Sequence, residues 1–224
     1  MKRITVLLAE DHTIVREGLR ALLASEADIE VVGEAESGRR AIQLTKDLRP
    51  AVVVIDIAMP LLNGLEATRQ ILQAVPGTRV LILSAHSDDE YVEQAIKLGA
   101  AGYLIKQTSA LVLAKAIRAV VSSAAFFGPY LSRRLREDGM PGRAKGRNRK
   151  ERVSLTSREV EILQLIAEGK ANKQTAAELG ISIKTVEKHR QHLMRKLDIH
   201  DTAGLTRYAI AAGIIEGGVR LTIE

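Results

Sequence analysis

Four short apolar runs in the first half of the chain each stop at a residue of distinct chemistry. Ile4 to Ala9 runs into Glu10 and Asp11, Ala51 to Ile55 into Asp56, Val80 to Leu83 into Ser84, and Gly102 to Ile105 into Lys106. Rich in Val, Ile and Leu, they read as strands buried on both faces. Between them apolar residues recur at helical spacing, as at Val15, Leu19, Leu22 and Leu23, or Val92, Ala95, Ile96 and Leu98. Strands alternating with helices predict an α/β unit with a parallel sheet covered on both sides.

In such a sheet the carboxyl ends of the strands open into one crevice, so residues far apart in sequence converge there. Three carboxylates, a hydroxyl and an ammonium would share a pocket. Crowded carboxylates repel, and burying them without counter-charge is costly, so the set makes sense around a hard divalent cation. A few oxygen ligands favour magnesium, which usually bridges protein carboxylates to phosphate. That chemistry suggests phosphoryl transfer onto an oxygen of Asp56, with Lys106 and Ser84 holding the phosphoryl oxygens.

The residues Glu10 and Asp11, the segment from Asp56 through Met59, Pro60 and Asn63 to Gly64, the pair Ser84 and Ala85, and the stretch Gly102 to Lys106 resemble the receiver domain of bacterial response regulators. The resemblance spans roughly residues 1 to 122. It implies a five-stranded, doubly wound, flavodoxin-like sheet and a phosphoacceptor at Asp56 served by a sensor histidine kinase. It further implies magnesium held by Glu10, Asp11, Asp56 and the Ala58 carbonyl, and a conformational report through Ser84 and Tyr103. Ser84 stands where many receivers have Thr, and Gln107 where many have Pro.

Simpler readings exist for single residues. An isolated strand-end Asp serves as a cap, and Asn63 with Gly64 reads as a turn or helix start. A strand tyrosine such as Tyr103 is equally a packing residue with a wet hydroxyl. His86 reads as a solvated loop residue. An aspartate-nucleophile phosphohydrolase is a rival for the whole set, but Ala58 occupies the position where a second Asp would be expected, and no general acid is evident nearby.

At 224 residues the chain is long enough for two cores. It contains no cysteine, hence no disulfide or thiolate metal site. No apolar run is long enough for a membrane span, and the amino-terminal run is too short for a signal peptide, so a bacterial cytoplasmic setting is expected.

The formal net charge of +6 is unevenly placed. Residues 1 to 122 hold 14 basic and 15 acidic residues, residues 123 to 153 hold 9 and 3, and residues 154 to 224 hold 10 and 9. The middle segment, with Gly128, Pro129, Pro141, Gly142 and a basic run from Arg143 to Arg152, reads as a linker. It is either a solvated tether or a basic arm drawn to DNA phosphate.

Beyond it the pattern is wholly helical. Thr156 or Ser157 with Glu159 starts a helix carrying Val160, Ile162, Leu163, Leu165 and Ile166. A short helix from Lys173 to Leu179 closes at Gly180, and Ser182 caps a third that runs to about Leu197. This is a helix-turn-helix layout, whose second helix reads the major groove. On a wheel centred at Val186, Leu193 and Leu197 share the core stripe, while Lys184, Glu187, Lys188, Gln191 and Arg195 gather opposite. Lys184, Thr185, Glu187, Lys188 and Gln191 are candidates for base or groove contact; His189, His192 and Arg195 suit phosphates.

The stretches Leu155 to Val160, Ala171 to Lys173 and Thr185 to His189 resemble the LuxR-type DNA-binding domain, and the two halves together resemble the NarL/FixJ family of response regulators. The resemblance implies a four-helix domain over 154 to 224, double-stranded DNA as ligand, homodimerisation on phosphorylation and RNA polymerase as a candidate partner. The fourth helix, about Thr202 to Ala212, would mediate pairing on DNA, although Leu205, Ala209 and Ile210 are equally explained as core. It also implies a regulator and not an enzyme; a phosphorylation-independent regulator with the receiver as a dimerisation module is the alternative.

Overall fold

The computed structural model describes residues 3–85, 89–107, 110–127 and 154–215. The linker residues 128–153 and His86 lie outside them. Two compact units divide the chain, Met1–Arg149 and Lys150–Glu224.

In the first unit β1 (Ile4–Ala9), β2 (Ile29–Ala35), β3 (Val52–Asp56), β4 (Arg79–Ser84) and β5 (Gly102–Ile105) form one all-parallel sheet in the order β2-β1-β3-β4-β5. Among the described residues, five helices alternate with the strands: α1 (Thr13–Ala24), α2 (Gly38–Leu48), α3 (Gly64–Ala74), α4 (Asp89–Leu98) and α5 (Ala110–Val121). This is the doubly wound sheet expected from the sequence. β2, absent from the four apolar runs, lies at one edge of the sheet and is buried only at its two ends, Ile29 and Ala35, with the residues between them part-exposed or exposed.

Strand residues divide by parity between two cores. Leu7, Val53, Ile55, Ile82 and Tyr103 face one helical layer, and Val6, Leu8, Val54, Leu81, Leu83 and Leu104 the other. Burying a side chain of this size contributes about 1.5 to 3 kcal/mol, so the central strands are the least alterable part of the fold.

The strand order reverses at β1, leaving a crevice at the carboxyl ends of β1 and β3. The loop from β3 to α3 is held there by close contact. The Gly64 N–H donates to the Ile57 carbonyl at 2.9 Å, and a Cβ on Gly64 would come within 1.9 Å of the Asp56 carbonyl oxygen. Asn63 Oδ1 caps α3 by accepting from the Glu66 N–H at 2.9 Å.

The first unit does not stop at residue 122. Phe126 pairs with Gly102 at the open edge of β5, donating to the Ala101 carbonyl at 3.0 Å and accepting from the Tyr103 N–H at 2.8 Å. Its apolar ring and the exposed backbone of an edge strand explain why the chain continues to pack here. Phe126, inside the stretch 123–153 expected to be linker, thus adds one backbone bridge to the sheet.

The second unit contains α6 (Ser157–Ala167), α7 (Asn172–Leu179), α8 (Ile183–Leu197) and α9 (Thr202–Ala211). Thr156 and Glu159 form a reciprocal capping box at the start of α6. Gly180, at φ +62°, ends α7 in the left-handed region that a glycine adopts without strain. Ser182 Oγ then accepts from the Thr185 N–H at 3.1 Å, and α8 begins. Ile162, Leu163, Ile166, Leu193, Leu205 and Ala209 close the core.

Candidate functional site

Glu10 and Asp11 leave the end of β1, Asp56 ends β3, Ser84 ends β4, and Lys106 follows β5, so the parallel strands deliver all five to one rim. Glu10, Asp56 and Ser84 are buried. The ligand-type atoms of Glu10, Asp11, Asp56 and His12 lie within 4.8 Å of one another. Lys106 Nζ reaches over them, 2.9 Å from Asp56 Oδ2 and 2.8 Å from Glu10 Oε2.

Burial pushes the Asp56 carboxyl up to about 6, helped by the Glu10 charge and opposed by Lys106 and by the backbone N–H of Ala58. Burial works to lower the Lys106 pKa, yet the Asp56 and Glu10 carboxylates hold it above the ordinary lysine value. One ammonium faces three carboxylates. With all three ionised the group carries an excess of two negative charges, in a place where charge is poorly solvated. A divalent cation with oxygen ligands matches that donor set in hardness and in charge.

Sequence reasoning missed His12. Its Nδ1 lies 3.0 Å from Glu10 Oε1 and 3.0 Å from Asp11 Oδ1, and the ring is mostly exposed. Its place directly after the acidic pair was the available signal. Ser84 is buried at the rim, and its carbonyl accepts from the Lys106 N–H at 2.7 Å. Tyr103 is wholly buried inside the α2–α4 side core, so the packing role considered for it is present in this conformation. Ala58 enters the site through its backbone amide.

On α8, Lys184, Glu187, Lys188, Gln191 and Arg195 are exposed, while Val186 and Leu193 are buried beneath them. Thr185 is half-buried, its Oγ1 2.8 Å from the exposed Ser182 Oγ, and His189 is half-buried. His192 turns toward its own domain, with Nε2 3.2 Å from Glu159 Oε1. Lys196 Nζ lies 2.6 Å from the other oxygen of the same carboxylate. Burial raises the Glu159 pKa, but the hydrogen bonds from Lys196 and Thr156 outweigh it and hold the group below the usual range. Arg190, another residue missed in the sequence, joins Asn172 Oδ1 at 3.2 Å to Thr202 Oγ1 at 3.0 Å and so ties α8 to α7 and α9.

An acidic strand-end pocket crossed by a lysine, followed by a helix-turn-helix unit, defines a receiver joined to a DNA-binding domain. Residues 6–118 match the response regulator receiver domain, and residues 153–209 the bacterial regulatory proteins of the luxR family. LiaR, a transcriptional regulatory protein of Bacillus subtilis, is 40% identical over 92% of this chain and 96% of its own length. DegU, a transcriptional regulatory protein of Brevibacillus brevis, is 34% identical over 98% of this chain and 96% of its own. Among solved structures, RcsB from Salmonella enterica serovar Typhimurium, bound to the promoter rprA in the presence of the phosphomimetic BeF3−, superposes with a TM-score of 0.56 at 25% identity, covering 92% of this chain and 98% of that one. The chain belongs to the NarL/FixJ family of response regulators: it is a two-component regulator of transcription. Among the described residues, no helix is long and apolar enough to cross a membrane.

Proposed function

We propose that Asp56 is the phosphoacceptor, that Glu10, Asp11, Asp56 and the Ala58 carbonyl hold Mg2+, and that the modification controls pairing and DNA binding. The observation that carries this reading is the position of Lys106, within ion-pair distance of both Asp56 and Glu10 at the rim of the sheet. A carboxylate oxygen of Asp56 attacks the phosphorus of a phosphorylated donor, the phosphohistidine of a sensor kinase or a small phosphoryl compound. The P–O bond to Asp56 forms as the donor bond breaks, and the electron pair leaves with the donor. Bound Mg2+ would supply charge neutralisation between the carboxylates and the incoming oxygens. Lys106 and the Ser84 hydroxyl then hold the phosphoryl oxygens, the lysine exchanging part of its contact with Glu10 for the new charge.

The phosphoryl group biases the rim between two arrangements, in which Ser84 and Tyr103 differ. Pairing of the phosphorylated receivers would bring two DNA-binding domains to two half-sites, as expected for a two-fold dimer. Lys184, Thr185, Glu187, Lys188, His189, Gln191 and Arg195 would then face the groove and its phosphates. His192 would do so only after leaving Glu159. The working compartment would be the bacterial cytoplasm, with residues 1–122 as receiver, 123–153 as a basic linker, and 154–224 as the DNA-binding domain; RNA polymerase would be the downstream partner. The test is DNA affinity and oligomeric state of the purified protein with and without Mg2+ and a small phosphoryl donor, beside Asp56→Asn. A rise in both for wild type alone is expected; equal affinity throughout would favour the receiver as a fixed dimerisation module.

A further inference from the structure

Arg16 sits one turn into α1, and its side chain is only 15% exposed. Its Nη1 donates to the backbone carbonyl of Glu10 at 2.7 Å, and its Nε lies 3.3 Å from Glu34 Oε2. On the other side, the Glu10 N–H donates to the Ala35 carbonyl at 2.9 Å. The peptide units flanking Glu10 are thus gripped from two directions, by the sheet and by a guanidinium anchored one residue before the end of β2. The turn so held, Glu10 to His12, supplies three of the four groups in the acidic cluster.

We propose that Arg16 is a positioning residue for the divalent-cation site, fixing the Glu10 to His12 turn through its backbone with Glu34 as anchor. This rests on the Mg2+ reading above. Mg2+ demands near-ideal octahedral geometry, so a ligand-bearing turn free to rotate loses affinity even when every ligand is retained. Arg16 adds a rigid planar fork that presents separate N–H groups to two acceptors in fixed directions, a geometry that the point charge of an ammonium on a flexible stem does not reproduce.

The sign of the effect separates this role from simple electrostatics. Arg16 carries the same sign of charge as the ion, so a purely coulombic Arg16 weakens cation binding, and its removal would tighten it. A positioning Arg16 does the reverse. Arg20 provides the control: its Nε lies 3.4 Å from Glu34 Oε1, it has the same charge, and it stands one turn further along α1.

The experiment is titration of the full-length protein with Mg2+, followed by amide chemical shifts, for wild type, Arg16→Gln, Arg16→Lys and Arg20→Gln. Thermal unfolding without metal serves as the folding control. Both Arg16 variants are expected to bind Mg2+ about tenfold more weakly, as for other outer-shell supports of metal ligands, while Arg20→Gln stays close to wild type. Arg16→Lys keeps the charge and so carries the test if the glutamine variant does not fold. Unchanged or tighter binding in a folded Arg16 variant would overturn the role of Arg16. Wild-type protein that binds no Mg2+ would instead overturn the reading beneath it.

Discussion

Lys106 Nζ and Asp56 Oδ2 lie 2.9 Å apart at the ends of β5 and β3, and the same ammonium is 2.8 Å from Glu10 Oε2. One cation therefore restrains two buried carboxylates that would otherwise repel across the crevice. It satisfies them only in part, since Asp56 stays well above the ordinary aspartate range. The pocket is thus poised to gain positive charge as a metal ion or to lose negative charge by protonation.

Asp56→Asn is expected to stabilise the metal-free protein at pH 7 to 8. The folded pKa of about 6 lies above the unfolded value of 3.8, so the ionised group opposes folding. That penalty is complete above pH 6 and is relieved as pH falls through the folded pKa toward the unfolded one. A shift of this size corresponds to about 3 kcal/mol, of which some will be offset by the altered pairing of Lys106. Urea unfolding from pH 5 to 8, without Mg2+, should show the variant more stable at the upper end and flatter with pH.

Lys106→Met leaves Glu10 and Asp56 buried without their ammonium. A loss of about 3 kcal/mol is expected, in the range typical of breaking a buried ion pair from one side. Added Mg2+ should restore part of it, since a ligand that binds only the folded state stabilises by mass action. Chemical unfolding with and without Mg2+ measures both effects; a variant as stable as wild type in metal-free buffer contradicts the arrangement.

The receiver's rim was largely legible in the sequence because parallel strands end where their apolar runs end. Glu10, Asp56, Ser84 and Lys106 each follow such a run directly. β2 was not located because Ile29–Ala35 mixes Glu30, Gly33 and Glu34 into an edge strand, which breaks the apolar run. The continuation to Phe126 was hidden because a single backbone bridge has no periodicity. On α8 the wheel separated Val186 and Leu193 from the polar face correctly. It could not reveal that His192 turns to Glu159, because that contact depends on α6, which lies far away in sequence.

In the DNA-binding domain, Glu159→Ala removes the capping box and the carboxylate shared by Lys196 and His192. About 1 to 2 kcal/mol of that domain's stability should be lost. Because the folded pKa of Glu159 lies below its unfolded value, its contribution is present above the unfolded pKa and disappears as pH falls through the folded one. Thermal unfolding at a series of pH values should therefore separate wild type from Glu159→Ala most at pH 7, with the difference shrinking as pH falls below the unfolded value of 4.5.

Lys184→Ala and Lys188→Ala test the exposed face of α8. If either lysine meets phosphate, the slope of log affinity against log salt falls by about one, with equal losses on specific and unrelated DNA. If it meets a base edge, the loss is about 1 to 3 kcal/mol and confined to the specific site. Filter binding at several salt concentrations on both DNAs distinguishes the two, and no change on either would remove the residue from the interface.

Asp56 is proposed to accept a phosphoryl group in a pocket completed by Mg2+. The most direct test of this proposal is intact-protein mass spectrometry after incubation with a small phosphoryl donor, followed by borohydride trapping and peptide mapping. One phosphoryl group is expected, located at Asp56, dependent on Mg2+ and absent from Asp56→Asn. Modification of another residue, or equal modification of the Asn variant, would contradict it.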